Sequence, residues 1–387
     1  MIELRPPPGD DSVMPLARLI AEEVAASGPI TFARFIELAI GHPEHGYYAS
    51  SVERVGYSGD FLTAPETHPL FGRLLARQTV ECWELLGRAS DLRIREEGAG
   101  RGTLATQILD AIAGAAPVGL SAVTYELRDL NSEHFSRLQE RFKPLSNQLE
   151  ISVGAADEGN FAGVVVANEL LDALPFHRLE MREGELRELF VSLEDGWFVE
   201  RPGPLSQALG TDLSGTEEIV EGQIFETSPA ASHWMCDLAR WLERGFAIII
   251  DYGYKRDDLR DPGRFPGGTL KTYRRHEVGE NPFVHIGAQD ITAHVDFTAV
   301  VESAAAGGLK LEGITSLAEF SAGLGLDELL LEIQSSARAA EDYLAARTAA
   351  MELLNPAGLG RFRVAIFSRG VDVEEGLRGL SFRMPGL

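Results

Sequence analysis

The chain has 387 residues, 44% of them hydrophobic, enough for one large α/β domain with additions or for two modest domains. With 59 acidic against 35 basic residues the formal charge is −24, which disfavours nonspecific binding to nucleic acid and favours a basic partner or substrate. Cys82 and Cys236 lack disulfide or metal spacing, the N-terminal stretch lacks a leader pattern, and no apolar run approaches a membrane span, so a cytosolic protein without membrane insertion is expected.

Leu16, Leu19, Ile20 and Val24, then Phe32, Phe35, Ile36 and Ala39, recur at helical spacing and predict two helices between about 15 and 40, with Thr31 as a cap for the second. His42-Pro43-Glu44-His45-Gly46-Tyr47-Tyr48 and Gly59-Asp60-Phe61-Leu62-Thr63-Ala64-Pro65-Glu66 read as irregular segments, better suited to a packed loop or a lid than to a metal. A helix over Leu70 to Leu86 leads to a strand over Leu92 to Glu96.

Glu96-Glu97-Gly98-Ala99-Gly100-Arg101-Gly102-Thr103 then reads as a strand end, a tight turn and a helix start. Glycines reach backbone angles closed to other residues and let the main chain approach a ligand, so Gly98, Gly100 and Gly102 would form a ligand floor. A dinucleotide loop places its third glycine one residue later and has no need of a carboxylate ahead of it. The G-x-G-x-G spacing with Glu96 resembles instead the first motif of class I S-adenosylmethionine (SAM) methyltransferases, whose ligand carries a positive ammonium and sulfonium. Another nucleotide, or a purely structural turn, remains open on this motif alone. Ala122-Val123-Thr124-Tyr125-Glu126 is a short β-branched run ending in an acid. It predicts a second parallel strand with Glu126 as ribose ligand, or else as a cap for the segment after the strand.

Further strands are expected at Leu149 to Val153, Gly163 to Ala167, Ala247 to Asp251 and Phe362 to Ser368, with hairpins between Arg178 and Gln223. Asp257 to Asn281 reads as a mobile loop, and Ala318 to Leu354 as helical. Val164 to Ala167 is a continuous apolar run of the kind buried on both faces of a sheet, and it ends in Asn168-Glu169-Leu170-Leu171-Asp172. Ligands of open α/β sheets sit outside the carboxyl ends of strands, so Asn168, Glu169 and Asp172 are candidate catalytic residues facing the crevice of the glycine loop. Were the acceptor a guanidinium, charged at any working pH, the Glu169 and Asp172 carboxylates are the pair that would grip it. His177 stands near them in sequence as a candidate proton acceptor, although a histidine after proline is more often structural.

Across nearly its whole length the chain resembles the MidA-type methyltransferase family. The matching segments include Phe35 to Ala39, His42 to Tyr48, Gly59 to Glu66, Gly98 to Leu104, Asn168 to Pro175, Asp251-Tyr252-Gly253, Asp290 to Phe297 and Arg361 to Val364. Mitochondrial members of that family are complex I assembly factors that dimethylate an arginine of a complex I subunit. The resemblance implies a class I methyltransferase fold, SAM as donor and a protein or peptide acceptor, and it suggests that Gly59, Asp60, Thr63 and Glu66 help close the cofactor site. The expected architecture is α/β: an N-terminal helical region and lid loop over 1–88, then a Rossmann-like, mainly parallel sheet domain over 89–387 with inserted substrate-binding elements near 178–223 and 255–290. No metal is implied. Two departures from the family pattern stand out, Glu97 in place of an apolar residue and Leu170-Leu171 in place of an aromatic pair. The departures leave room for a small-molecule or modified-peptide acceptor, or for a SAM-binding assembly factor with little catalysis.

Overall fold

The computed structural model describes residues 15–49, 63–89, 91–115, 117–120, 122–129, 140, 149–153, 160–209, 213, 216, 218–336 and 339–384. Gly59 and Asp60 lie outside them. Two compact units interleave along the chain: a sheet unit formed by Leu62–Leu170, Cys236–Tyr252 and Ala304–Leu387, and a second unit formed by Met1–Phe61, Leu171–Met235 and Gly253–Ser303.

Seven strands form the sheet of the first unit: β1 (Asp91–Glu97), β2 (Ala122–Arg128), β3 (Leu149–Val153), β4 (Phe161–Asn168), β5 (Leu242–Asp251), β6 (Lys310–Ser316) and β7 (Arg363–Arg369). They lie side by side in the order β6-β7-β5-β4-β1-β2-β3, parallel from β5 through β3, with β7 antiparallel to both of its neighbours. Side chains alternate between the faces of a strand. Thus Ile94, Tyr125, Val164, Val166, Ile248 and Ile366 share one core with Leu74 and Trp83 of the helix Leu70–Leu85 and with Leu104 and Ile108 of the helix Thr103–Ala115. Val165, Ile249 and Phe367 on the alternate positions are also fully buried, which is why Val164 to Ala167 and Phe246 to Ile250 are unbroken apolar runs. Each such side chain contributes about 1.5–3 kcal/mol on leaving water.

The second unit is built differently. Glu185–Glu194 pairs antiparallel with Ile30–Thr31, with His177–Arg182 and with Trp197–Gly203, and His177–Arg182 pairs onward with Ile224–Thr227. A three-stranded sheet joins Lys271–Arg274 to Glu277–Gly279 and to Asp290–Thr292. The helices Pro15–Ser27 and Phe32–Gly41 share a core with both, through Leu16, Phe32, Phe35, Phe176, Val191 and Ile291. Thr31 caps the second of these helices, its hydroxyl accepting from the Arg34 amide at 3.1 Å.

Three expectations are corrected by this architecture. The helix Leu70–Leu85 belongs to the sheet unit and not to an N-terminal region ending at 88, because its apolar face enters the core of the sheet. The segments near 178–223 and 255–290 are not mere insertions in the sheet domain: with the N-terminal helices they form a unit with its own core. Asp257 to Asn281, read as a mobile loop from its charges and glycines, holds most of the helix Arg256–Leu259 and both strands of a hairpin.

Candidate active site

β1, β2, β4 and β5 run in one direction, so their carboxyl ends share one edge of the sheet, and the glycine loop leaves β1 there. Gly98, Gly100 and Gly102 adopt φ of 71°, 48° and 68°, the left-handed region that side chains rarely enter. The loop is closed by the Gly102 amide donating to the Ala99 carbonyl at 2.8 Å, and the helix Thr103–Ala115 starts at once. Leu170 lies against it: a Cβ on Gly98 would come within 3.1 Å of the Leu170 Cδ1 atom. Among the described residues nothing lies within 4 Å of the Cβ position of Gly100, so the space above it is open to them.

Glu96 shares the face of Ile94 and Tyr125. It is 4% exposed and accepts a 2.6 Å hydrogen bond from the Tyr125 hydroxyl. Burial pushes its carboxyl up to about 8, against the opposing hydrogen bond from Tyr125.

Glu126 stands elsewhere. Its side chain points to the opposite face of the sheet, where Arg93 and Arg95 approach its carboxylate at 2.7 and 2.6 Å and Arg128 at 3.4 Å. The Arg95 guanidinium is in turn stacked between Phe161 and Trp241, at 4.6 and 4.5 Å from their ring centroids. Burial would raise the Glu126 carboxyl, but the bonds from Arg95 and Arg93 hold it below its ordinary range. Glu97 is on that same face, paired in register with Arg128. Burial raises its carboxyl and the charges of Arg95 and Arg128 oppose the rise. The Glu97 departure therefore belongs to the arginine cluster and not to the glycine loop.

The acid at the end of β2 is Asp129. Its Oδ2 accepts from the Gly100 amide at 2.9 Å. Sequence reading passed over it because β2 runs through Arg128, two residues beyond its expected end. The signal was present: Leu127 continues the alternation of Val123 and Tyr125.

At the end of β4 the Glu169 amide donates to the Ile250 carbonyl at 2.8 Å, and Glu169 itself sits at φ 52°. For a residue with a side chain this conformation stores about 1–2 kcal/mol. The Asn168 Nδ2 group donates to Glu169 Oε1 at 3.1 Å, while Asn168 Oδ1 is buried and has no hydrogen-bond partner among the described residues. Asp172, in a 3₁₀ turn over Leu171–Ala173, is 7% exposed and belongs to the second unit, where it lines a pocket with Ser228, His294 and Asp296. His177 is buried against Glu188, Nδ1 to Oε1 at 2.7 Å, and Glu188 also accepts from the Ser206 amide, a structural pairing. Thr63 precedes the short helix Ala64–Thr67, which contains Glu66. The Gln107 amide of the helix after the glycine loop donates to the Pro65 carbonyl at 2.7 Å and ties that segment to the sheet unit. His42 accepts from the Glu44 and His45 amides and closes a turn.

These features define a mixed α/β sheet unit with a glycine loop at the carboxyl edge of its parallel strands. The family model described as "Putative S-adenosyl-L-methionine-dependent methyltransferase" matches residues 74–315, and the chain belongs to that family of methyltransferases. A Burkholderia thailandensis protein, crystallised bound to S-adenosyl-homocysteine, is 34% identical over 95% of this chain and 94% of its own, with a TM-score of 0.84. The zebrafish (Danio rerio) mitochondrial protein arginine methyltransferase NDUFAF7 is 28% identical over 82% of this chain and 78% of its own length. Its Drosophila melanogaster homolog is 26% identical over 74% and 69%. The names of these relatives overturn the cytosolic expectation, since they are mitochondrial proteins. Scarce cysteines speak to redox chemistry, which does not separate the two compartments. Among the described residues no helix is long and apolar enough to cross a membrane.

The cofactor is SAM, and the residues present fit it. Among the described residues, an open floor above Gly100, a carboxylate at the end of β2 and an unpartnered acceptor on Asn168 are gathered at one edge of the sheet.

Proposed function

We propose that the chain is a class I protein arginine N-methyltransferase. The strand order, with a reversed β7 between β5 and β6, supports the class I reading, and the relatives' names support arginine as the acceptor. The observation that carries the reading is the Asn168-Glu169 pair at the same sheet edge as the glycine loop, one member strained and the other with a buried acceptor unmet among the described residues.

In this reading Gly98, Gly100 and Gly102 form the floor of the cofactor site, Asp129 rather than Glu126 takes the ribose hydroxyls, and Glu96 serves the cationic amino-acid end. Thr63 and Glu66 help close the site. When bound, the cofactor supplies a methyl group on a positively charged sulfur that departs as a neutral thioether. The protein's own work is then to orient the acceptor nitrogen, keep water away and leave that nitrogen a lone pair. The Glu169 carboxylate holds guanidinium N–H groups by charge-assisted hydrogen bonds and draws positive charge onto the nitrogens that do not react. Asn168 orients Glu169 through its amide. A surface with net charge −24 suits a basic protein or peptide acceptor.

Incubation with isotope-labelled SAM and an arginine-containing peptide library, read by mass spectrometry, tests the reading. Label on arginine is expected. Label confined to other residues or to small molecules would refute it.

A further inference from the structure

The arginine reading leaves open how a planar cation is recognised, and the second unit holds a surface suited to one. His294 lines the pocket that contains Asp172. The segment Gly253–Tyr254 pairs in parallel with Val295–Asp296, Tyr254 standing opposite Asp296, and the Tyr254 ring lies by His294 just ahead of that strand; a turn closed by the Phe265 amide on the Asp261 carbonyl precedes Phe265, whose ring meets both. The three rings form one face: Tyr254 to His294 is 5.4 Å between centroids, Phe265 to His294 is 5.5 Å, and Tyr254 to Phe265 is 5.7 Å. Such a face attracts a flat cation through the quadrupoles of its rings.

A guanidinium already lies on it. The Arg264 side chain stacks 3.9 Å from the Tyr254 centroid and 5.2 Å from that of Phe265. Its ion pair is with Asp258 at 3.6 Å, both side chains being well exposed, so that solvent screens the attraction. Two of the pocket's carboxylates are engaged by other arginines, Asp296 by Arg256 at 3.0 Å and Glu226 by Arg178 at 3.1 Å.

We propose that the Tyr254–Phe265–His294 face is a subsite for an arginine guanidinium of the acceptor polypeptide, and that Arg264 is an internal competitor for it. The proposal rests on the arginine reading. Acceptor binding displaces Arg264 into solvent, which makes the apparent affinity for an arginine peptide weaker than the face alone would give.

The test is calorimetric titration of acetyl-Gly-Arg-Gly-amide into the parent protein, Arg264→Ala, Arg264→Lys, Tyr254→Leu and Phe265→Leu, each saturated with S-adenosyl-homocysteine. Arg264→Ala is expected to bind the peptide about two- to fivefold more tightly. Arg264→Lys is expected to follow in the same direction, because lysine keeps the charge but gives up the planar stack. The two ring variants are expected to bind more weakly. Equal affinity in the parent and all variants would overturn the subsite and leave the arginine reading intact. Tighter binding in Arg264→Ala but not in Arg264→Lys would reduce Arg264 to a repelling charge and overturn its role as competitor. If the parent binds S-adenosyl-homocysteine but not the peptide, the arginine reading falls and the subsite with it. Arg264 is exposed, so its variants keep the test decisive even if a ring variant misfolds.

Discussion

At the residue scale, Glu126 and Asp129 are three positions apart and do different work. Glu126 neutralises buried arginines on the far face of the sheet, and Asp129 meets the glycine loop. Glu126→Gln should cost about 3–5 kcal/mol, since it leaves Arg95 buried without its counter-charge, a loss measurable by urea denaturation. Asp129→Asn should leave the denaturation midpoint nearly unchanged and weaken SAM binding by about tenfold or more. The opposite pattern would restore Glu126 as ribose ligand. Glu96 adds a pH dependence. Its carboxyl is lifted from the ordinary 4.5 to about 8, so the folded chain keeps a proton that the unfolded chain has released. Its contribution to stability is therefore full at low pH, falls as pH rises through that window, and is constant above it. Glu96→Gln mimics the protonated group, so its melting temperature should fall less than the parent's between about pH 5 and about pH 9. An unchanged slope would show that Glu96 is ionised throughout.

Glu169 joins the residue scale to the element scale. It is held at φ 52° where β4 meets the next turn, a conformation that glycine adopts freely. Glu169→Gly should therefore match or exceed the parent's stability, by up to about 1 kcal/mol, while methyl transfer collapses. A large loss of stability would mean that the carboxylate is structural. The glycine loop carries the converse prediction. Gly100→Val forces a β-branched residue to φ 48° and should abolish SAM binding in calorimetry although no described residue crowds its Cβ; retained affinity would separate loop geometry from binding.

Elements buried on both faces were the most legible in the sequence, because hydrophobicity alone marks them: β4 and β5 were found from Val164 to Ala167 and Ala247 to Asp251. Their starts were not, since Phe161-Ala162-Gly163 and Leu242-Glu243-Arg244-Gly245 break the apolar run. The edge strand β6 escaped altogether: Lys310-Leu311-Glu312-Gly313 mixes charge and glycine, and its place is fixed by pairing with β7. The hairpin Lys271 to Gly279 was hidden in the same way, its pairing partners lying in tertiary structure that charged residues do not announce. The glycine loop was legible because its requirement is local, whereas the choice between Glu126 and Asp129 depended on where β2 ends.

For the molecule as a whole, the interleaving of two units explains why a linear division at residue 88 failed. Chain order separates Ile30–Thr31 from Glu185–Glu194, yet they pair in one sheet, and nothing in either segment names the other. Asn168 and Glu169 fall in one unit and Asp172 in the next, so the candidate pair of carboxylates is divided between two separately built cores. On the proposed reading the sheet unit holds the cofactor, and the second unit carries the aromatic face as a separate subsite for the acceptor. This division predicts that substitutions at Phe265 or Tyr254 change KM for the acceptor and spare the affinity for SAM.

The most direct test is single-turnover methyl transfer from labelled SAM to an arginine peptide by the parent and by Glu169→Gln, with SAM affinity measured on the same samples. Equal affinity for SAM is expected, with a fall in the transfer rate of about a hundredfold or more in the variant, as when a charge that steadies the transition state is removed. Transfer at the parental rate by Glu169→Gln would contradict that role of Glu169.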